Sequence, residues 1–225
     1  MEDHFRKIRA AQPASKTMII RFLKNESWAF SVKDKNKDIM SKPGYPKHYP
    51  NTVVPEYPCA TNAKYEVVAR AAQSNPYHTK YIAWLDAGYF RHLSEKNISD
   101  FIMQLPPGFD EKKIAHTQVT PFQEYCPKDI VYRNYNFLAA GFFVGTVDNM
   151  ITWTSLFKDA VFHYLDRGLT SAEQQIMYAM FADNPTLVEK VQSYIPKARD
   201  PDHSEWLYLG YLSKLDNPAK NFISQ

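Results

Sequence analysis

The chain has 225 residues, 44% of them hydrophobic and 15% aromatic, with a formal net charge of +3. That composition supports a packed core and excludes disorder, and no apolar run approaches the ~20 residues that span a bilayer. Nucleic acid is excluded as a partner: the charge is small, and neither an RNP aromatic pair nor a KH-type GxxG loop occurs.

Along the chain, the start MEDHFRKIRAAQP lacks the apolar h-region of a secretory signal. The expected compartment is cytoplasmic if this start is complete, and the Golgi or secretory lumen if an N-terminal anchor has been lost. The first 50 residues hold 11 Lys and Arg against 5 Asp and Glu, the remainder 16 against 19. A basic front of this kind either faces phosphates or is solvated surface. Met18-Ile19-Ile20-Arg21-Phe22 reads as a strand, and 33–42 (KDKNKDIMSK) as a charged turn. Between Pro43 and Pro58 lie five prolines and three tyrosines, Tyr45, Tyr49 and Tyr57. This predicts a long surface loop over 43–58, since proline at that density breaks regular structure. Its tyrosines either stack on a sugar or pin the loop down, and its PxxP spacing (Pro43 to Pro46, Pro55 to Pro58) fits a docking peptide.

Thr61 or Asn62 is expected to cap a helix over 62–74, with Tyr65, Val68, Ala69 and Ala72 on its apolar face and Pro76 beyond its end. Tyr81-Ile82-Ala83-Trp84-Leu85 then reads as a strand buried on both faces, ending at Asp86-Ala87-Gly88. An acid at that position binds a metal or a ribose hydroxyl where ligands enter open α/β sheets, or it merely caps the turn. Further expectations are a helix over 94–104, strands at 114–119 and 137–145, and a helix over 147–167. Thr146 caps that helix, its stripe is Met150, Trp153, Phe157, Ala160, Val161 and Tyr164, and Gly168 lies beyond its end. Thr170-Ser171-Ala172-Glu173 is a capping-box pattern opening a helix over 171–183. A short helix to about 194 and a strand-like aromatic tail, Glu205–Leu212, complete the chain. Alternating strands and helices indicate an α/β fold. Cys59 and Cys126 form one disulfide or remain two thiols, and no Cys/His spacing fits zinc.

Asn62-Ala63-Lys64-Tyr65, Asn75-Pro76-Tyr77 and Trp84-Leu85-Asp86-Ala87-Gly88 follow one another in the order found in the HtrL/YibB family, which this sequence resembles. Ala140-Gly141-Phe142-Phe143-Val144-Gly145, Glu173-Gln174 and Trp206-Leu207-Tyr208-Leu209-Gly210-Tyr211 continue the likeness over about 60–212, with a weaker stretch at Ile8-Arg9. The family is regarded as one of glycosyltransferases. The resemblance therefore implies a single GT-A-like (nucleotide-diphosphosugar transferase-like) domain over 1–225 with a mostly parallel central sheet flanked by helices. It implies a nucleotide sugar and a glycan acceptor as partners, and either a divalent metal, manganese or magnesium, as cofactor or a metal-free mechanism that uses basic residues. Two departures stand out. Gly88 replaces the second acid of the Asp-x-Asp pair common in GT-A enzymes, and the first nucleotide-binding strand is cut off or rebuilt.

Within that resemblance the residues take roles. Asp86 holds the metal or donor, with Gly88, Lys64 and Arg91 beside the diphosphate; the competing readings of Lys64 and Arg91 are solvated surface charge. Glu173 is the catalytic base, or only the capping-box partner of Thr170. Gly141, Gln174 and Trp206 bind the acceptor, or respectively serve packing, solvent exposure and the core. A non-catalytic descendant that binds glycan or a protein partner is the alternative function.

Overall fold

The computed structural model describes residues 2–10, 13–92, 101–196 and 204–216. The mixed α/β character expected from the sequence forms, but the sheet is not mostly parallel. Its four strands are β1 (Tyr81–Leu85), β3 (Ile114–Gln118), β4 (Leu138–Thr146) and β5 (Val191–Tyr194), in the order β1-β4-β3-β5. The β1–β4 and β4–β3 pairs are antiparallel and only β3–β5 is parallel. Thus β1, β3 and β5 point the same way, and β4 is reversed between them. A short β2 (Phe101–Met103) pairs with β6 (Lys214–Asp216) in a separate two-stranded sheet.

One face of the large sheet is covered by three helices: α4 (Glu56–Ser74), α6 (Val147–Asp166) and α7 (Glu173–Asp183). Their apolar stripes meet the sheet in the larger core. Tyr65 lies stacked between Phe143 and Phe157, at ring centroid distances of 5.4 and 3.8 Å. Trp153 and Phe181 stack at 5.8 Å beside them. Each such ring, fully buried, contributes roughly 1.5–3 kcal/mol. On the opposite face Tyr89, Ala115, Phe142, Val144 and Leu209 form a smaller core. Helix α6 matches its prediction: Thr146 caps it by accepting from the Asn149 N–H, and Gly168 adopts φ +72° just past its end.

Several expectations are corrected. Residues 18–22 form no strand, and Met18 and Ile20 stay exposed. The charged segment 33–42 is largely helical, α3 (Lys33–Met40), because Asn36, Ile39 and Met40 give it one buried face. It follows α1 (Glu2–Arg9) and the short α2 (Trp28–Ser31). The proline-rich loop ends early, at Pro55, where α4 begins. Pro58 falls in the first helical turn, where no N–H partner is required. Thr61 and Asn62 therefore sit inside the helix rather than capping it, and the second PxxP is not an exposed peptide. Tyr45 pins the loop: its hydroxyl donates to the Thr170 carbonyl at 2.6 Å.

β1 is an edge strand, with Ala83 and Leu85 exposed, rather than one buried on both faces. Of the helix expected over 94–104, residues 94–100 lie outside the described residues, and 101–103 are strand. The helix expected to 194 is a 3-10 turn, Pro185–Lys190, after which Val191–Tyr194 joins the sheet. The aromatic tail is a 3-10 turn, Glu205–Leu207, followed by α8 (Tyr208–Leu212), not a strand. The remaining helix, α5 (Pro127–Arg133), is capped by Cys126. Both cysteines are free thiols.

Candidate functional site

The strands β1, β3 and β5 end at one edge of the sheet, and β4 starts there. α4 and β1 are joined by the Asn75–Lys80 turn, in which Asn75 adopts φ +30° and its side chain binds the Thr79 backbone. From Ser74 back to Lys64 the helix rises ~15 Å, and from Lys80 to Asp86 the strand advances ~20 Å. The two side chains consequently arrive at the same end. Tyr65, locked in the core, fixes the rotation of α4 that aims Lys64 there.

Lys64 Nζ donates to Asp86 Oδ2 at 3.2 Å, to Glu173 Oε1 at 3.1 Å and to the Ala140 carbonyl at 3.4 Å. The Glu173 side chain is 5% exposed and that of Lys64 13%, whereas Asp86 keeps 39% and faces solvent. Burial, the largest influence, pulls the Lys64 pKa down, but the Glu173 and Asp86 carboxylates outweigh it and hold the ammonium above its ordinary value. The Lys64 carbonyl acceptor exists because β4 bulges. Between the pairs His116–Phe143 and Gln118–Leu138, β4 carries extra residues, which frees the carbonyls of Ala139 for His116 and of Ala140 for Lys64.

Asp86 does not fold back on its own turn. Its Oδ1 accepts from Trp84 Nε1 at 2.7 Å, and its backbone N–H donates to the Gly141 carbonyl at 2.8 Å. Trp84, which reads as core in the sequence, thus also orients the carboxylate. Glu173 is not a capping-box partner. Thr170 Oγ1 donates instead to Asn36 Oδ1 at 2.7 Å, Ala172 occupies the N-cap position without a side-chain cap, and the Glu173 N–H donates to Thr61 Oγ1. The carboxylate is left to Lys64. Tyr57, placed in the loop by its sequence, stands in the first turn of α4 within the field of this cluster; burial and the Glu173 charge raise its phenol pKa.

The Arg91 guanidinium lies over Gly88, so a side chain at 88 would press against it; Arg91 itself is exposed. Lys64, Asp86 and Glu173 therefore come together, with Gly88 and Arg91 on the adjoining turn. The space over Gly141 is filled by the Tyr89 ring and the Asp86 carboxylate. Gln174 is half-buried on α7. Trp206 stands apart, at a cavity of about 530 Å³ beyond the start of β4. Sequence reasoning missed Gln175, which is fully buried and donates to Asn136 Oδ1 at 2.6 Å. Its signal was there: a glutamine on the apolar face of an otherwise hydrophobic helix.

Among the described residues no three His, Cys, Asp or Glu side chains converge as ligands for a metal. Asp86 and Glu173 are the two carboxylates on hand, and Lys64 already occupies the space between them. No described helix is long and apolar enough to cross a membrane. A family model described as a bacterial protein of unknown function (HtrL_YibB) matches residues 16–195. No curated protein and no solved structure matches the chain.

Proposed function

The chain belongs to the HtrL/YibB family, and with that as premise we propose that it is a glycosyltransferase moving a sugar from a nucleotide-sugar donor to a glycan or other hydroxyl acceptor on a GT-A-like scaffold. One observation carries this reading: Lys64 held between Asp86 and Glu173 at the mouth where three strands end. Ligands of open α/β sheets bind at such carboxyl ends. The front of the chain, with its excess of Lys and Arg, offers no further support.

Transfer breaks the bond from the anomeric carbon to the diphosphate and forms one to the acceptor oxygen. Negative charge appears on the departing diphosphate, and Lys64, with Arg91 across the turn, neutralises it. Asp86 orients the ammonium and is open to ribose or sugar hydroxyls. In an inverting transfer Glu173 takes the proton of the acceptor hydroxyl once Lys64 turns to the phosphate. Asp86, the exposed carboxylate, would hold a manganese or magnesium ion, with water and phosphate oxygens completing its shell. Such an ion would supply the same charge neutralisation as Lys64.

Thermal unfolding with UDP, GDP and CMP, each with and without manganese, tests the reading. A ligand at about 100 times its Kd adds roughly 2.7 kcal/mol to the native state, several degrees in a chain of this size. A shift with one nucleotide that disappears in Asp86→Asn is the expected result; no shift with any of them refutes it. A shift that requires manganese and is lost in Asp86→Asn assigns the metal to Asp86. The second reading, a non-catalytic glycan-binding module, draws on the same cluster: Lys64 already satisfies both carboxylates. It predicts stabilisation by free glycans and by no nucleotide.

A further inference from the structure

We propose that the cavity beside Trp206 is a binding site for a neutral sugar residue. It measures about 530 Å³ and lies between the segment after β3, the segment before β4 and the 3-10 turn Glu205–Leu207. Its walls are aromatic: Tyr125, Tyr135, Tyr178 and Trp206. The tyrosines are fixed before any ligand arrives. Tyr125 stacks on Tyr135 at 4.4 Å, and the Tyr178 hydroxyl donates to the Gln123 carbonyl and accepts from the Gln123 N–H. Trp206 is 39% exposed at the rim.

Two amides complete the wall, each oriented through its oxygen. Asn136 Oδ1 accepts from Gln175 at 2.6 Å and Asn134 Oδ1 from Asn51 at 2.8 Å. That leaves the Asn134 NH2 as a donor, while the Asn136 NH2 also donates to the Asn134 carbonyl at 3.4 Å and keeps one N–H for a ligand. Flat apolar rings with a few fixed amides suit a pyranose, whose C–H face stacks while its hydroxyls take hydrogen bonds. Among the described residues lining the cavity there is no Lys, Arg or His, and Glu205 is acidic. Arg133 touches the Tyr135 hydroxyl at 3.4 Å from outside the lining, and no described lining residue offers a cation to a phosphate or sialic acid. A nucleobase would bring phosphates with it and is disfavoured for the same reason.

The cavity adjoins the proposed transfer site. From Asn136, just before β4, to Ala140, whose carbonyl binds Lys64, the chain spans at most ~13 Å, and Gln175 is two residues from Glu173 on the same helix. Calling this sugar the acceptor rests on the transferase reading; its binding here does not.

The experiment is an array of immobilised oligosaccharides, neutral ones beside sialylated and phosphorylated ones, with hits titrated by calorimetry. At least one neutral oligosaccharide is expected to bind. Its affinity should fall by roughly tenfold in Trp206→Ala, the loss of one aromatic contact. Trp206 is on an exposed turn, so this variant keeps its melting temperature. Asn134→Gly, which keeps the left-handed backbone of this position (φ +54°), provides a second, independent probe of the same wall and should weaken binding likewise. Failure of every neutral oligosaccharide to bind, preference for anionic ones, capture of uridine or guanosine by Trp206, or affinity untouched in both variants would overturn the site. The nucleotide shift of the transferase test does not involve Trp206 and should persist in Trp206→Ala, so the two readings fail separately.

Discussion

Lys64 holds the cluster together at the scale of single residues. Replacing it by methionine leaves Glu173 buried and facing Asp86 without a counter-charge. Breaking a buried pair in this way costs ~3–5 kcal/mol; with Asp86 at 39% exposure the lower end, about 3 kcal/mol, is expected in urea titrations. A second change, Glu173→Gln in the Lys64→Met background, should recover part of that loss, because the stranded charge is gone. His116 provides a separate residue-scale prediction. It is fully buried, stacked on Phe143 at 5.2 Å, and burial lowers its pKa from 6.5 to about 4. Its Nδ1 pairs with the Ala139 carbonyl. The unfolded chain therefore binds a proton more readily than the folded one between these values. Stability contributed by neutral His116 is complete above pH 6.5 and declines as pH falls toward 4, by roughly 3 kcal/mol in all. Unfolding free energies of His116→Phe should lack that slope over the same window; a slope equal to the parent's would assign it to other groups.

Much of the candidate cluster was legible at this scale. Asp86 read as a candidate from its place at a strand end, and Lys64 and Glu173 from the family resemblance; that the three meet came only from the structure. The cluster's partners were not legible. Trp84 and Asp86 share a face two residues apart, but no local pattern shows the indole N–H turning to the carboxylate. That Glu173 escapes its capping box depends on Thr170 finding Asn36, 134 residues away, a competition no local pattern reveals. Gly141 gives room to Tyr89 and Asp86 instead of a sugar, a fact of packing alone.

At the scale of elements, helices with both a stripe and a cap were predictable, as α6 shows, and short amphipathic or aromatic segments were not. Lys33–Met40 is charged, and its helix is sustained by three buried side chains. Val191–Tyr194 and Tyr208–Leu212 are both brief aromatic or β-branched runs; only the open edge of β3 decides that the first becomes a strand. α8 in turn buttresses the Asp86 turn. The Gly210 N–H donates to the Tyr89 hydroxyl at 3.2 Å, and a methyl group at 210 would run into the Tyr89 ring. Gly210→Ala should cost about 1–3 kcal/mol, as overpacking does, and should weaken any nucleotide shift by moving Tyr89 against Asp86. At Gly145 a methyl would press on the end of the Ile114 side chain and touch the Met150 side chain, not a ring, so Gly145→Ala should cost less and leave nucleotide binding alone. Equal effects on binding from the two variants would detach Tyr89 from the site.

At the scale of the whole molecule, the sequence indicated alternating strands and helices but not strand direction. Periodicity reports which faces are buried and is silent on polarity, so the reversed β4 in the centre of the sheet was out of reach. Its reversal matters for the site: β4 begins where β1 and β3 end, and its bulge delivers the Ala140 carbonyl to Lys64 at that edge. The account's central claim is that this edge handles a nucleotide sugar. The most direct measurement is release of nucleotide from a panel of UDP-, GDP- and CMP-sugars by the purified chain, in water alone and with neutral oligosaccharides present. The account predicts release from one donor class, faster with an acceptor, and lost in both Lys64→Met and Glu173→Gln while the proteins remain folded. Absence of release from every donor, or release undiminished in both variants, would contradict it.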